Sequence, residues 1–209
     1  MEEFKNYWND VYSYRKDAEI IYDNWLDKYL PLFKNCQTKI LDLGCGAGND
    51  TLYLLEKGFK VISCDYAENA LENLKRNIPQ VETLKLDMTQ ILPFYDEVFD
   101  IIIADLSLHY FDDSTTKRIM LEIKRILKND GHLLARVNSI KDINHGANQG
   151  KELEKHYFYV EGYNKRFFDL KDAEYYFSKI GTVSAIETQM LRYEKPKEVI
   201  EINTKKQQY

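Results

Sequence analysis

The stretch Ile40-Leu41-Asp42-Leu43-Gly44-Cys45-Gly46-Ala47-Gly48-Asn49-Asp50-Thr51 decides how the rest of the chain is read. Three or four apolar residues run straight into three glycines at alternate positions. A polar cluster then leads into Leu52, Leu54 and Leu55 at helical spacing. This is the grammar of a strand, a tight turn and a helix. Glycines let the backbone turn sharply and let a ligand approach it, while the helix start aims N–H groups over the turn. The spacing is G-x-G-x-G. A dinucleotide fingerprint needs a third small residue where Asn49 stands, so a pyrophosphate ligand is disfavoured.

Working outward, strands and helices alternate. Lys60-Val61-Ile62-Ser63-Cys64, Val81 to Leu86, Phe99 to Ala104 and His132 to Val137 read as strands. Helices are expected over Asn49–Lys57, Ala67–Asn77, a segment capped by Ser114 that runs to about Leu127, and Asp169–Lys179. Phe99–Ala104 is apolar on both faces, as a central parallel strand should be. Thr182–Leu191 and Glu198–Asn203 are joined by the short link Glu194-Lys195-Pro196-Lys197, which predicts an antiparallel hairpin. The pattern predicts an α/β, Rossmann-like three-layer sandwich. Its sheet is seven-stranded and mostly parallel, with the antiparallel hairpin at the C-terminal end.

One domain is expected over residues 1–209. Residues 1–35 read as a helical arm with Ile20, Ile21, Trp25 and Leu26 as its apolar face, and residues 36–137 as a cofactor-binding core. Residues 138–168 read as a lid or substrate loop, because Asn138 to Gly162 has no core pattern. Residues 169–209 form a closing helix and hairpin. Ten of the 16 tyrosines fall within 1–30 and 151–180, the segments that flank the core, where a ring with a polar tip suits a partly wet wall.

The bulk properties narrow the class. Hydrophobic residues make up 44%, and 29 basic against 34 acidic residues give a net charge of −5. That balance speaks against a general nucleic-acid binder. No apolar run approaches the roughly 20 residues that span a bilayer, and the charged start does not read as a signal peptide. Three unevenly spaced cysteines, Cys36, Cys45 and Cys64, suggest neither a disulfide framework nor a zinc site. A cytoplasmic protein, monomeric or homodimeric, without membrane or nucleic-acid partners, is the expectation.

Acids fall where a nucleoside would want them. Asp65 ends the second strand, 21 residues after Gly44, and can accept both hydroxyls of an adenosine ribose. Tyr66 follows it. Asp87, with Met88, ends the third strand and can accept from an adenine amino group. Each acid alone reads equally well as a turn or cap residue. Their recurrence at successive strand ends points to a ligand, because ligands of such sheets bind there.

With these residues in view, Ile40 to Gly48 resembles the first motif of class I S-adenosylmethionine-dependent methyltransferases. Asp65, Asp87 and Ala104–Tyr110 resemble their later motifs, and the likeness covers residues 37–137. Asn49-Asp50-Thr51, Tyr7-Trp8 and the tail are loosely similar to thiopurine and tellurite-resistance methyltransferases. The resemblance implies S-adenosylmethionine as cofactor, with S-adenosylhomocysteine as product. It implies that Asp42 and the Gly44-Cys45-Gly46 turn hold the methionine part. It implies ribose on Asp65, adenine between Tyr66 and Met88 with its amino group on Asp87, and Asp105 or Leu106 beside the cofactor. The segment Asp105-Leu106-Ser107-Leu108-His109-Tyr110 departs from the Asn/Asp-Pro-Pro-aromatic motif of DNA-base and glutamine methyltransferases. A small-molecule oxygen, nitrogen or sulfur acceptor is the expectation.

A sulfonium methyl needs little beyond an aligned nucleophile, and a base only where the nucleophile must lose a proton. His109 is the candidate for that base, or for a structural hydrogen-bonder under the lid. His145 and His156 in the long loop are weaker candidates, and His132 reads as solvent-facing. Tyr7, Trp8 and Tyr12 are placed to close over the cofactor and Arg15 to meet its carboxylate, or to be the packing face of a helix. Arg166 reads either into the acceptor pocket or as a solvated strand residue. The four histidines lack metal-ligand spacing, so no metal is expected.

Overall fold

The computed structural model describes residues 2–15, 19–35, 37–192 and 195–207, with the side chains of residues 2–6 and 192 excepted. The opening stretch enters the sheet as β1 (Ile40–Leu43), with all four residues buried. Its parallel neighbours are β2 (Val61–Asp65) and β4 (Phe99–Asp105), and β3 (Glu82–Lys85) pairs outside β2. β5 (Leu127–Asn138) continues the parallel set beside β4. β10 (Lys195–Lys206) runs antiparallel to β5 and is flanked by β9 (Gly181–Arg192), giving the order β3-β2-β1-β4-β5-β10-β9. The expected seven-stranded mixed sheet is present. Both hairpin strands are longer than the sequence suggested, since Lys195–Lys197 belong to β10. Glu194 lies outside the described residues.

Burial on both faces follows the two-residue period of a strand. In β4, Ile102 and Ala104 enter one core, and Ile101 and Ile103 the other. The first core is closed by α4 (Asp113–Ile126), through Ile119, Met120, Ile123 and Ile126, and by α5 (Leu170–Phe177), through Ala173, Tyr176 and Phe177. The second core is closed by α2 (Asn49–Glu56), through Tyr53 and Leu54, and by Trp25, Leu26 and Phe33 around a 3₁₀ turn at Asp27–Leu32. α3 (Glu68–Asn77) buries Leu71 and Leu74 against Cys45, Ile78 and Val81.

Several local expectations change. α4 is capped by Asp112, whose carboxylate accepts from Thr115 N–H at 2.7 Å. Ser114 instead donates its hydroxyl to Asp112. An acid two residues upstream outcompetes the serine because its charge also meets the helix dipole. Asp169 caps α5 as expected, in a reciprocal capping box with Asp172. The N-terminal arm holds α1 (Glu2–Ser13) and the 3₁₀ turn at Asp27–Leu32, and residues 19–26 are not helical. Trp25 and Leu26 are buried, but Ile21 is exposed, so the four proposed residues do not share one face. The lid segment is not an irregular loop. It holds a three-stranded antiparallel sheet, β6 (Lys151–Glu154), β7 (Tyr157–Val160) and β8 (Tyr163–Arg166). Among the described residues, no helix is long and apolar enough to cross a membrane.

β1 has β2 on one side and β4 on the other, so the strand order reverses there. The crevice outside the carboxyl ends of these strands is where ligands of such sheets bind.

Candidate active site at the strand-order reversal

A cavity of about 790 Å³ occupies that crevice. Its floor is the glycine loop. Gly44 has φ +81°, and a β-carbon there would lie 2.4 Å from Ser107 Cβ. Gly46 has φ +53°, and a β-carbon would meet the Tyr12 hydroxyl at 2.4 Å. Only glycine fits either position. Sequence reasoning aimed the loop amides at the ligand, and the structure corrects this. Gly44 and Cys45 N–H both donate to the Cys64 carbonyl at 2.7 and 2.9 Å, and Gly48 N–H donates to Cys45 O at 2.9 Å. Gly46 N–H donates to Asp65 Oδ2 at 2.8 Å. These donors are taken by the loop and by the end of β2, and the carboxylate-bearing residues Asp42, Asp50, Asp65, Asp87 and Asp105 line the cavity.

The acids sit around that floor. Asp42 is buried, accepts from the Thr51 hydroxyl at 2.7 Å, and lies near Asp105 and Asp65. Burial, reinforced by those two acids against the Thr51 bond, pushes its carboxyl up to about 7. Asp65 is also raised by burial, against hydrogen bonds from Ala67 and Gly46 N–H. Ala67 N–H meets Oδ1 at 2.8 Å, so each Asp65 oxygen holds one bond and keeps acceptor capacity for another. Asp87 accepts from Thr89 N–H and its hydroxyl at 2.9 and 2.7 Å. Tyr66 is exposed at the rim, and Met88 Cε reaches within 3.3 Å of where a Gly44 β-carbon would stand. Leu106 lines the cavity in a left-handed conformation, φ +52°.

Asp105 also lines the cavity, but its carboxylate is taken. The Arg136 guanidinium grips it through Nε at 2.6 Å and Nη2 at 2.8 Å, and reaches Asp23 through Nη1 at 2.6 Å. Arg136 lies over the Trp25 ring, and Trp25 Nε1 donates to Asp50 at 2.8 Å. Burial and the nearby Asp105 and Asp42 raise Asp50, with Arg136 opposing. This network was missed in the sequence. Asp23 and Arg136 are 113 residues apart, and no local pattern links them.

The roof is aromatic. α1 hangs on α3: Asn69 donates two hydrogen bonds to Asn9, from its backbone N–H and its side-chain amide, and Asn73 donates to Tyr12 O. Tyr7, Trp8, Tyr12 and Arg15 thereby line the cavity. Tyr7 meets Tyr163 of β8 at 4.6 Å between ring centres, and Trp8 meets Tyr110 at 5.5 Å. His109 is buried, lines the cavity, and has its ring 4.3 Å from that of Tyr110.

Residues 40–131 match the model of a methyltransferase domain family. A methyltransferase of Synechocystis, sll0829, is 34% identical over 44% of this chain and 43% of its own length. The human mitochondrial arginine-hydroxylase NDUFAF5 is 41% identical over 44% of this chain and 26% of its own length. The chain thus spans less than half of these relatives. A solved S-adenosylmethionine-dependent methyltransferase from Methanosarcina mazei shares the fold, with TM-score 0.72 and 19% identity over 87% of this chain and 98% of that one.

Residues 40–131 carry a methyltransferase domain, and the chain has the fold of the class I S-adenosylmethionine-dependent methyltransferases. The donor set suits the cofactor of that family. A sulfonium and an α-ammonium want acceptors, and Asp42, Asp65, Asp87 and the loop carbonyls are acceptors. A pyrophosphate would want the amides this methyltransferase fold has consumed internally.

The remaining candidates fall outside the cofactor end. Arg166 is not solvated: it is buried, pairs with Glu154 at 2.6 Å, donates to the Phe111 and Lys155 carbonyls, and lies over Tyr157 and Tyr176. It ties β8 to the Phe111 turn and to α5. His132 is half-buried, with Nδ1 2.8 Å from Asn203 Oδ1, rather than freely solvent-facing. His156, Asp169 and Asp172 are close enough to share an ion. Their atoms are already engaged, however, in the α5 capping box, the His156–Asp172 contact at 2.6 Å and the Lys155–Asp172 pair at 3.0 Å. His145 is treated below.

Proposed function

We propose that the protein binds S-adenosylmethionine over the Gly44–Gly48 loop and transfers its methyl group to a small-molecule oxygen, nitrogen or sulfur acceptor. The acceptor lies beneath the aromatic roof formed by α1 and β8. One observation carries this reading. Asp42, Asp65 and Asp87 line the cavity, and the amides of Gly44, Cys45, Gly46 and Gly48 are taken by the protein's own acceptors, which makes a seat for a cationic ligand rather than for a phosphate.

When bound, the cofactor supplies an electrophilic methyl on sulfur. The chain's own groups do the rest. Asp65 keeps two oxygens able to take ribose hydroxyls. Asp42 and the Gly44 backbone would meet the methionine part of the cofactor. Asp87 and Met88 are placed for the adenine, with Tyr66 at the rim. Leu106, held left-handed after β4, puts backbone beside the reacting carbon. Tyr7, Trp8 and Tyr12 exclude water, which favours an aligned nucleophile over solvent. A cavity of 790 Å³ is at the upper part of the range that holds one drug-sized ligand, about 300–1,000 Å³, which leaves room for a second small molecule.

Thermal unfolding with S-adenosylhomocysteine or with NAD tests the cofactor half. S-adenosylhomocysteine at about 100 times its Kd should stabilise the fold by about 2.7 kcal/mol, and NAD should leave the transition unmoved. The reverse result removes the proposal. A relative is named for hydroxylation, so the reaction is decided by product. Release of S-adenosylhomocysteine that depends on an added small acceptor supports methyl transfer. Binding without release under a broad acceptor panel supports a non-catalytic cofactor-binding module instead.

A further inference from the structure

The cavity has a second end, away from the glycine loop. β5 finishes at Asn138, beside the β4 end that carries Asp105 and Leu106. Asn138 is 2% exposed and lines the cavity, yet its Oδ1 has no hydrogen-bond partner among the described residues. Four residues on, the Asp142 side chain is fully buried. Its Oδ2 accepts from Lys197 Nζ at 2.7 Å, and its Oδ1 lies 2.9 Å from His145 Nδ1. Glu198 N–H adds a bond to Oδ1 at 3.3 Å.

The chemistry of this chain of contacts fixes the imidazole. A carboxylate held by an ammonium can only accept, so His145 Nδ1 carries a hydrogen, and in the neutral ring Nε2 carries the lone pair. Nε2 is buried and has no partner among the described residues, although His145 lines the cavity. The backbone around the ring is pinned as well. Lys165 Nζ donates to His145 O at 3.2 Å and to Glu161 at 2.8 Å, and Asp142 O and N–H close the Ser139–His145 turn. Buried acceptors are normally satisfied, and each exception asks for an explanation. Here two of them, Asn138 Oδ1 and His145 Nε2, belong to one short stretch on the wall of one cavity. Tyr110, Tyr157 and Tyr163 line the same space.

We propose that His145 is the general base of the methyl transfer, positioned by Asp142 and Lys197, and that Asn138 orients the acceptor beside it. The acceptor is an aromatic or heteroaromatic molecule that presents an O–H or ring N–H to these two atoms. This deepens the reading above and rests on it. As the acceptor's O–H or N–H bond breaks, the proton passes to Nε2. The freed electron pair forms the bond to the methyl carbon, and the sulfur–carbon pair stays on sulfur. The two hydrogen-bond acceptors select a donor-bearing substrate, while an ether or N-methylated analogue leaves both unsatisfied. The proposal places the base at His145 rather than His109 because a carboxylate holds the His145 Nδ1.

Nitrogen-15 NMR of histidine-labelled protein saturated with S-adenosylhomocysteine reads this directly. The probe is 4-cyanophenol, and the control is 4-methoxybenzonitrile, the same ring with the O–H methylated. His145→Gln removes the resonance and assigns it. The expected results are an Nδ1–H tautomer for His145, an Nε2 resonance that moves with the phenol, and none that moves with the ether. Asn138→Ala should weaken the phenol about tenfold. Asp142→Asn should reverse the tautomer and erase the response, which a merely structural contact would not do. An Nε2–H tautomer in the wild type, or equal responses to phenol and ether, or no response, overturns the proposal. Should Asp142→Asn fail to fold, the wild-type tautomer and the phenol–ether pair still decide. Failure of S-adenosylhomocysteine to bind the wild type overturns the cofactor reading instead, and the tautomer of the ligand-free protein then tests the dyad alone.

Discussion

The two ends of the cavity are built in opposite ways. At the cofactor end, one contiguous loop and two neighbouring strand ends hold one another. Gly44, Cys45 and Gly46 donate to Cys64 and Asp65, and Asp65 also takes Ala67. At the acceptor end, residues from β5, the following turn, β8 and β10 meet across long sequence gaps. Asp142 and Lys197 are 55 residues apart. The cofactor end satisfies its polar atoms internally and offers leftover lone pairs. The acceptor end keeps two buried lone pairs unsatisfied. A seat for a common cofactor can be closed and repeated. A seat for one acceptor is defined by what it lacks until that acceptor arrives.

Breaking the first end should cost the most. Arg136→Met leaves the half-buried Asp105 carboxylate without its bidentate partner and removes the opposing charge from the buried Asp50. Loss of one partner of a buried pair costs about 3–5 kcal/mol, so urea unfolding should show a fall of that size. A change below about 1 kcal/mol would place the network in the surface class. Asp65→Ala removes the expected ribose acceptor and frees the Gly46 amide. Calorimetry should show S-adenosylhomocysteine weakened more than tenfold, about 1.4 kcal/mol or more. Unchanged affinity removes Asp65 from the ligand.

The roof should give a smaller effect, split differently. Tyr163→Ala deletes the ring contacts with Tyr7 and Trp8, worth about 0.5–1.5 kcal/mol per aromatic pair. Proteolysis of residues 2–15 should quicken, and cofactor should slow it again. Equal cleavage with and without cofactor dissolves the link between α1 and the site.

The smallest effect is in pH. Asp42 titrates near 7 because burial disfavours its charge. Its neutral form, filled as pH falls below 7, no longer attracts a cation. S-adenosylmethionine affinity should therefore fall on acidification from pH 8 to 6, by no more than about tenfold. Asp42→Asn should flatten that profile, and an affinity that rises with acid would contradict the electrostatic role.

The comparison also explains what the sequence showed. The cofactor end was legible because its information is local. Alternating glycines, an acid at the next strand end and apolar runs such as Ile101–Ala104 each sit within a few residues of their structural consequence. The order of elements and the terminal hairpin followed from the same periodicities. The acceptor end was not legible. β6 is exposed along all four residues, and β7, Tyr-Phe-Tyr-Val, alternates only weakly, so neither gives a strand signal. The cap at Asp112 was obscured by a serine two residues later. His145 looked like a loop histidine because the lysine that fixes its carboxylate partner lies on β10. Arg166 looked solvent-bound for the same reason, since its partners at Phe111, Glu154 and Tyr176 come from three other segments.

Asp65 braces Gly46 and Ala67 through two backbone hydrogen bonds, and this bears on kinetics. A seat braced by its own side chains asks for little reorganisation, so little of the binding free energy is diverted into ordering the loop. Entry is then governed by passage beneath α1, where Tyr12 stands over Gly46. Differences in affinity among cofactor analogues should be written in how long each one stays, rather than in how fast each one comes.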